Sequence, residues 1–207
     1  MIAACLVGCG KTSTIIDPPP PDIIRDPPAT ADALMADFMY TYETMDPERL
    51  ARLTDPQSFI ILQASTTATF PDVGEFLDRA EQAQISSRMF SRQDVTDPNG
   101  NLVPGIQTIQ FQTFQRVGSW GTSLPGDVIP NTECALYSVQ VLFDRGQSYS
   151  TMKVTGNIRF YVSHRDSTYN GETYPFYQII GQVDLTDSPP AKGDESASWG
   201  SIHALFR

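Results

Sequence analysis

Leu34, Met35, Phe38, Met39, Tyr42 and Met45 recur at the three- and four-residue spacing of a single helical face, and Thr30, after Pro28, is placed to cap it. The spacing predicts an amphipathic helix of about four turns. Asp46-Pro47-Glu48 predicts a restart, because Asp caps a helix and Pro fits its first turn. This second, short helix is expected to run through Leu53 and stop before Asp55-Pro56, since the residue preceding Pro is disfavoured in the helical region. Ser58 to Leu62 reads as a short strand. Asp72-Val73-Gly74-Glu75 has the spacing of an acidic capping box, with Val73, Phe76, Leu77, Ala80 and Ala83 on one face behind it, so a third helix is expected to about Ser87.

From Ile106 the period changes from helical to two. The segments Ile106–Trp120, Thr132–Asp144, Tyr149–Arg165 and Phe176–Leu185 are rich in Val, Ile, Thr, Phe and Tyr and are separated by glycine-containing turns. They predict four long strands in an antiparallel meander. In the third, Met152, Val154, Ile158, Phe160 and Val162 alternate with Lys153, Thr155, Asn157, Arg159 and Tyr161, the pattern of a sheet with one buried face. Helices followed by a sheet predict an α+β domain with the helices packed on one sheet face.

The length of 207 residues bounds this to one globular domain plus a tail. No apolar run approaches the ~20 residues of a membrane-spanning helix. With 14 Lys+Arg against 24 Asp+Glu the net charge is −10, which repels a phosphate backbone and argues against a nucleic-acid partner. Three cysteines, Cys5, Cys9 and Cys134, are too few for a disulfide framework in a chain of this length. Two of them fall within the first nine residues.

Leu6-Val7-Gly8-Cys9 closes a short apolar stretch and is followed at once by polar residues. This resembles the lipobox of bacterial lipoproteins. The resemblance implies lipid transfer to the Cys9 thiol, cleavage after Gly8, and anchoring in a bacterial envelope membrane, periplasmic or on the outer-membrane side, since more than one acyl chain is needed for stable attachment. A full signal carries a basic start and a longer apolar core. Only eight residues precede Cys9 and none is basic, so either the signal begins upstream of Met1 or the segment is not a signal. Gly8-Cys9-Gly10-Lys11-Thr12 also ends like a phosphate-binding loop, but Cys5 stands where that motif needs Gly, and Asp17-Pro18-Pro19-Pro20-Pro21 follows where a helix would begin. Residues 10–30 are read as a proline-rich disordered tether favouring polyproline II, leaving 31–207 as the folded domain.

The order helix, short helix, strand, helix and four long strands resembles the NTF2-like (SnoaL-like) α+β cone, with N-terminal helices packed on a curved antiparallel sheet. More narrowly, Tyr42-Glu43-Thr44-Met45-Asp46 before Leu50 and Phe59, Arg88-Met89-Phe90-Ser91, and Trp199-Gly200-Ser201-Ile202-His203-Ala204-Leu205 resemble a group of bacterial lipoproteins with this fold. That group brings no activity to carry over.

Such cones usually enclose a cavity, which some relatives use for proton transfer. The chemistry would need a carboxylate with a Tyr or Asp donor, their pKa values shifted by apolar surroundings. By type the candidates are Asp37, Tyr40, Tyr42, Tyr137, Tyr161, His164, Tyr177 and Asp184, and no motif selects among them. Asp184 and His164 read first as turn residues, and His203 as part of the terminal tail. Two isolated His residues give no metal-ligand spacing, Gly-x-Ser-x-Gly is absent, and no cofactor is implied. Tyr42, Phe111, Tyr137, Phe160 and Tyr177 are the candidate pocket lining, with plain core packing as the competing role. Cys134 reads as a small buried hydrophobe on a strand. The reading that results is a non-catalytic, lipid-anchored envelope protein whose cone binds a small apolar ligand or a protein partner. Its alternatives are an isomerase- or cyclase-like enzyme using a carboxylate in the cone, and a homodimeric assembly module.

Overall fold

A computed structural model describes residues 28–97, 100–169, 172–187 and 195–207. Residues 1–27, with the segment read as a lipobox at Cys9 and most of the segment read as a tether, lie outside the described residues. Helix α1 spans Ala31–Thr44, capped as expected by the Thr30 hydroxyl, which accepts from the Ala33 amide at 3.1 Å. It ends at Met45 in the left-handed conformation, and the Asp46 carboxylate, accepting from the Arg49 amide at 2.8 Å, starts helix α2 (Pro47–Leu53).

Strand β1 (Thr54–Ile61) begins four residues earlier than expected and contains Pro56. Its pairing register shifts between Thr54 and Phe59, so the proline, which has no amide hydrogen to donate, sits in an irregularity rather than in a regular ladder. Helix α3 (Ala64–Thr69) has no apolar period and left no signal in the sequence.

The third predicted helix is displaced. Residues Pro71–Val73 form a single 3-10 turn, Gly74 leaves it at φ +80°, and Phe76–Asp78 is a short edge strand, β2. Helix α4 (Arg79–Phe90) starts after that, on the capping box Asp78/Glu81, in which the Asp78 carboxylate accepts from the Glu81 amide and the Glu81 carboxylate accepts from the Asp78 amide. The face it buries is Gln82, Ile85, Ser86, Met89 and Phe90, whereas Phe76 is 59% exposed. Two boxes with the same spacing compete here, and only the second is followed by unbroken helix-compatible residues.

A small hairpin of β3 (Val95–Thr96) and β4 (Leu102–Val103) precedes the four long strands β5 (Thr108–Thr122), β6 (Glu133–Asp144), β7 (Met152–Tyr169) and β8 (Glu172–Asp187). The expected meander is present, with its final hairpin longer than predicted. The main sheet has the order β2-β1-β8-β7-β6-β5. Its pairs along that path are antiparallel except β1 with β8, and the two-residue strand β9 (Glu195–Ser196) adds to β7 in parallel. Register shifts in β5–β6 and β7–β8 bend the sheet, as bulges do, and the helices pack on its concave face. The architecture is the expected α+β arrangement, helices packed on one face of a curved, mainly antiparallel sheet.

Met152, Val154, Ile158, Phe160 and Val162 are all buried, on the face the alternation assigned. Tyr161, on the opposite face, is also 1% exposed. The β5–β6 loop crosses that outer face and lays Ile129 against Gly181, where a Cβ would come within 2.5 Å of the Ile129 methyl and 3.6 Å of the Tyr161 ring.

The C-terminal segment is not a tail but a buried helix, α5 (Trp199–Leu205). Asp184, expected as a turn carboxylate, is its anchor and is buried on the inner face of β8. One oxygen accepts from the Thr186 amide at 2.9 Å, the Thr186 hydroxyl at 2.6 Å and the Gln63 amide nitrogen at 3.0 Å; the other accepts from the Gly200 amide at 2.8 Å. Thr186 accepts in turn from the Trp199 amide, and Ser198 accepts from the Ser201 amide. The first turn of α5 is thus held by side chains of β8 and its own cap, which satisfies donors that a helix start leaves unpaired. Gly200 is fixed by the close approach: a Cβ there would lie 2.9 Å from the Asp184 carboxylate and 2.8 Å from Leu62. Replacing Asp184 by Ala strands these donors, and a loss of about 3 kcal/mol in denaturant unfolding is expected. A change within about 0.5 kcal/mol, the range of an ordinary surface substitution, would refute the anchoring role.

Candidate functional site

The concave side of the sheet is occupied by rings. Phe38 on α1 lies 4.7 Å from Tyr42, 5.2 Å from Phe160 and 5.9 Å from Phe114; Phe114 lies 4.8 Å from Tyr137 and 5.1 Å from Phe111. Tyr137 meets Phe160 edge-on at 5.5 Å, and Trp199 of α5 closes against Tyr42 at 5.1 Å. Four of the five aromatic candidates, Tyr42, Phe111, Tyr137 and Phe160, therefore fall into one connected cluster. The fifth, Tyr177, stands apart, with its ring 5.5 Å from that of His164. The cluster also contains Phe38, Phe114 and Trp199. Phe114 is hidden in the sequence because the register shift between Phe111 and Thr113 puts Phe111 and Phe114 on the same face, which strict alternation forbids.

His203 is the residue the sequence reading placed least well. It is buried on α5, its Nδ1 is 2.8 Å from the Trp199 carbonyl, and its Nε2 is 3.2 Å from the Tyr42 hydroxyl. A carbonyl only accepts, so Nδ1 carries the proton and Nε2 accepts from Tyr42. Burial lowers the His203 pKa below its usual value and raises that of Tyr42 far above the usual phenol range. The pair is neutral around pH 7 and holds α1 to α5. Tyr137 is pushed up to about 12, chiefly by burial and secondarily by the neighbouring Asp32 carboxylate.

Beside this pair lies a cavity of about 20 Å³, lined among others by Tyr42, Ile60, Arg79, Ser86, Gln182 and His203. That is room for about one water molecule, against the several hundred Å³ of a small-molecule pocket. No acidic residue lines it. The buried carboxylates are engaged elsewhere: Asp37 pairs with Arg49 at 2.8 Å, Asp55 accepts from Arg165 at 2.6 Å, Ser163 at 3.2 Å and the Gln57 amide at 2.9 Å, and Asp97, in the β3–β4 turn, accepts from the Asn101 amide at 2.8 Å and its side-chain nitrogen at 3.1 Å. Asp184 anchors α5. Of the remaining candidates, Tyr40 is 38% exposed under the Arg49 guanidinium, Tyr161 sits on the outer sheet face, and His164 is exposed. Cys134 is half-buried on β6 rather than fully buried, and desolvation raises its thiol pKa, partly offset by Arg159. Among the described residues no group of His, Cys, Asp or Glu is arranged to hold a metal ion.

Two wider depressions open on the exterior. One, of about 600 Å³, runs from the end of β5 and the start of β6 over the middle of β7 and β8 and is lined by Trp120, Asn131, Glu133, His164 and Ile180 among others. The other, about 350 Å³, lies beside the edge strand β2 with Pro56, Phe59 and Phe76.

The depressed His203 pKa sets a sign for stability against pH. The unfolded chain binds a proton near the ordinary value of 6.5, while the folded chain resists it. The stability this contributes is fully present above that value and is lost as pH falls below it, with a limiting slope of about 1.4 kcal/mol per pH unit. Denaturant unfolding between about pH 7.5 and pH 5.5 should show this decline, and His203→Gln should flatten it. An identical slope in the two proteins would show that His203 is not the group responsible.

No family model matches the chain, and no curated protein does. Among solved structures it is similar to AusH from Aspergillus nidulans, with 11% identity and a TM-score of 0.46 over 81% of this chain and 94% of that one. A conserved protein from Planctomyces limnophilus is similar at 9% identity and a TM-score of 0.45, over 75% of this chain and 92% of that one. A designed NTF2-like protein matches at 12% identity and a TM-score of 0.38, over 74% of this chain and 94% of that one.

Proposed function

We propose that the protein is a lipid-anchored component of a bacterial envelope whose NTF2-like domain works as a non-catalytic interaction module through its exterior. The observation that carries the non-catalytic part is the state of the interior. Aromatic rings fill the concave face, the cavity beside Tyr42 and His203 has about 20 Å³, and no acidic side chain lines it. Proton transfer in a cone requires a carboxylate and a donor facing the same substrate-sized space. Here the buried carboxylates Asp37, Asp55 and Asp184 hold helices and strands together instead, and Asp97 closes the β3–β4 turn. The same filling argues against a small apolar ligand inside the cone and in favour of contacts made at the open depressions on the surface. The acidic net charge of −10 favours a partner that presents basic or neutral groups.

The anchor rests on Leu6-Val7-Gly8-Cys9 and on the six prolines between Asp17 and Thr30 that follow it, a composition suited to a spacer extended at about 3.1 Å per residue. Expressed with a complete signal in a bacterial host, the protein should incorporate labelled fatty acid and sediment with membranes, and Cys9→Ser should abolish both. Equal labelling of the two proteins would overturn the anchor. The interior is tested separately: an apolar reporter dye added to the folded domain should gain no more fluorescence than with an ordinary compact globular protein, and a saturable one-to-one enhancement would return a ligand to the cone.

A further inference from the structure

Two polar atoms buried without a hydrogen-bond partner among the described residues, Gln182 Oε1 and Arg79 Nε, belong to side chains that line the same small cavity. Gln182 is 2% exposed and lies on the inner face of β8, opposite Phe160 of β7. Arg79 opens α4, and the other end of its guanidinium is fixed, donating to the Ala51 carbonyl at 3.0 Å. Buried donors and acceptors are rarely left unpaired, and a charged donor least of all. The two lining side chains bring opposite needs, an unpaired acceptor from β8 and an unpaired N–H donor from α4.

That combination selects the occupant. An anion is repelled by the Gln182 carbonyl oxygen and a cation by the Arg79 guanidinium, so the guest is neutral and both donates and accepts. The volume of about 20 Å³ exceeds the roughly 10–15 Å³ that a water requires and excludes anything of several heavy atoms. A third lining group fits the same guest: the Tyr42 proton is committed to His203 Nε2, which leaves the phenolic oxygen free to accept. We infer that this cavity binds one ordered water molecule, which accepts from Arg79 Nε, donates to Gln182 Oε1, and donates to the Tyr42 oxygen. The water joins α4 and β8 to the chain that runs from Tyr42 through His203 to the Trp199 carbonyl. Four elements distant in sequence thereby share one hydrogen-bonded network, in the manner of the conserved internal waters of globular domains.

A high-resolution crystal structure of the unsubstituted protein tests this directly. A solvent peak at about 2.7–3.2 Å from both Gln182 Oε1 and Arg79 Nε is expected; density without a peak there, or with either atom bonded to another protein group, would overturn the assignment. In solution, oxygen-17 magnetic relaxation dispersion should count one fewer long-lived water in Gln182→Met, which keeps the side-chain length and removes the acceptor. An equal count in the two proteins would be contrary to the assignment, and the crystallographic result stands alone if the variant does not fold.

Discussion

The hydrogen bonds around the Asp184 carboxylate decide what the inside of this cone contains. A buried carboxylate is tolerable only when its lone pairs are matched, and here the donors come from Gln63, Thr186 and the first turn of α5. Fixing that turn fixes the direction of the helix. Trp199 then lands among Tyr42, Phe38 and Phe143, and His203 lands within reach of the Tyr42 hydroxyl. Without α5 the aromatic cluster on the sheet would have an open side. With it, the cluster is a packed core, and ring pairs at these separations contribute beyond the area they bury.

The consequence for function follows from volume and charge together. Proton-transfer chemistry on a small molecule needs an interior with space and a titratable group facing it. This chain uses its interior for packing and its buried acids for architecture: Asp37 ties α1 to α2 through Arg49, Asp55 ties β1 to β7 through Arg165, and Asp184 ties β8 to α5. On the exterior, the depressions between β5 and β6 and beside β2 are large enough to receive another molecule.

Much of this frame was legible in the sequence, and the parts that were not share a cause. The caps of α1 and α2, the four long strands and the buried face of β7 are written in local patterns, a Thr or Asp before a helix and alternation within a strand. The misplaced third helix arose where two identical capping-box spacings lie six residues apart, and Gly74 with a short pairing strand settled the choice. Phe114 was missed because a bulge breaks alternation at one point. The role of α5, and with it those of Asp184 and His203, depends on partners 16 to 161 residues away, so no local period could announce them. The aromatic candidates were recognisable as a set, but only the position of α5 shows that they pack against one another.

Helix α5 is packed and hydrogen-bonded as a wall of the core rather than hinged over it as a lid. Native-state hydrogen exchange measures this residue by residue, because a segment that opens on its own exchanges with a lower free energy than the sheet. The amides of α5 that are hydrogen-bonded within the fold, Gly200 and Ile202 among them, are expected to exchange only through the same global unfolding as the central residues of β6 and β7. Exchange of α5 with a free energy well below that of the sheet would contradict it and would mean that the interior can be opened to a ligand.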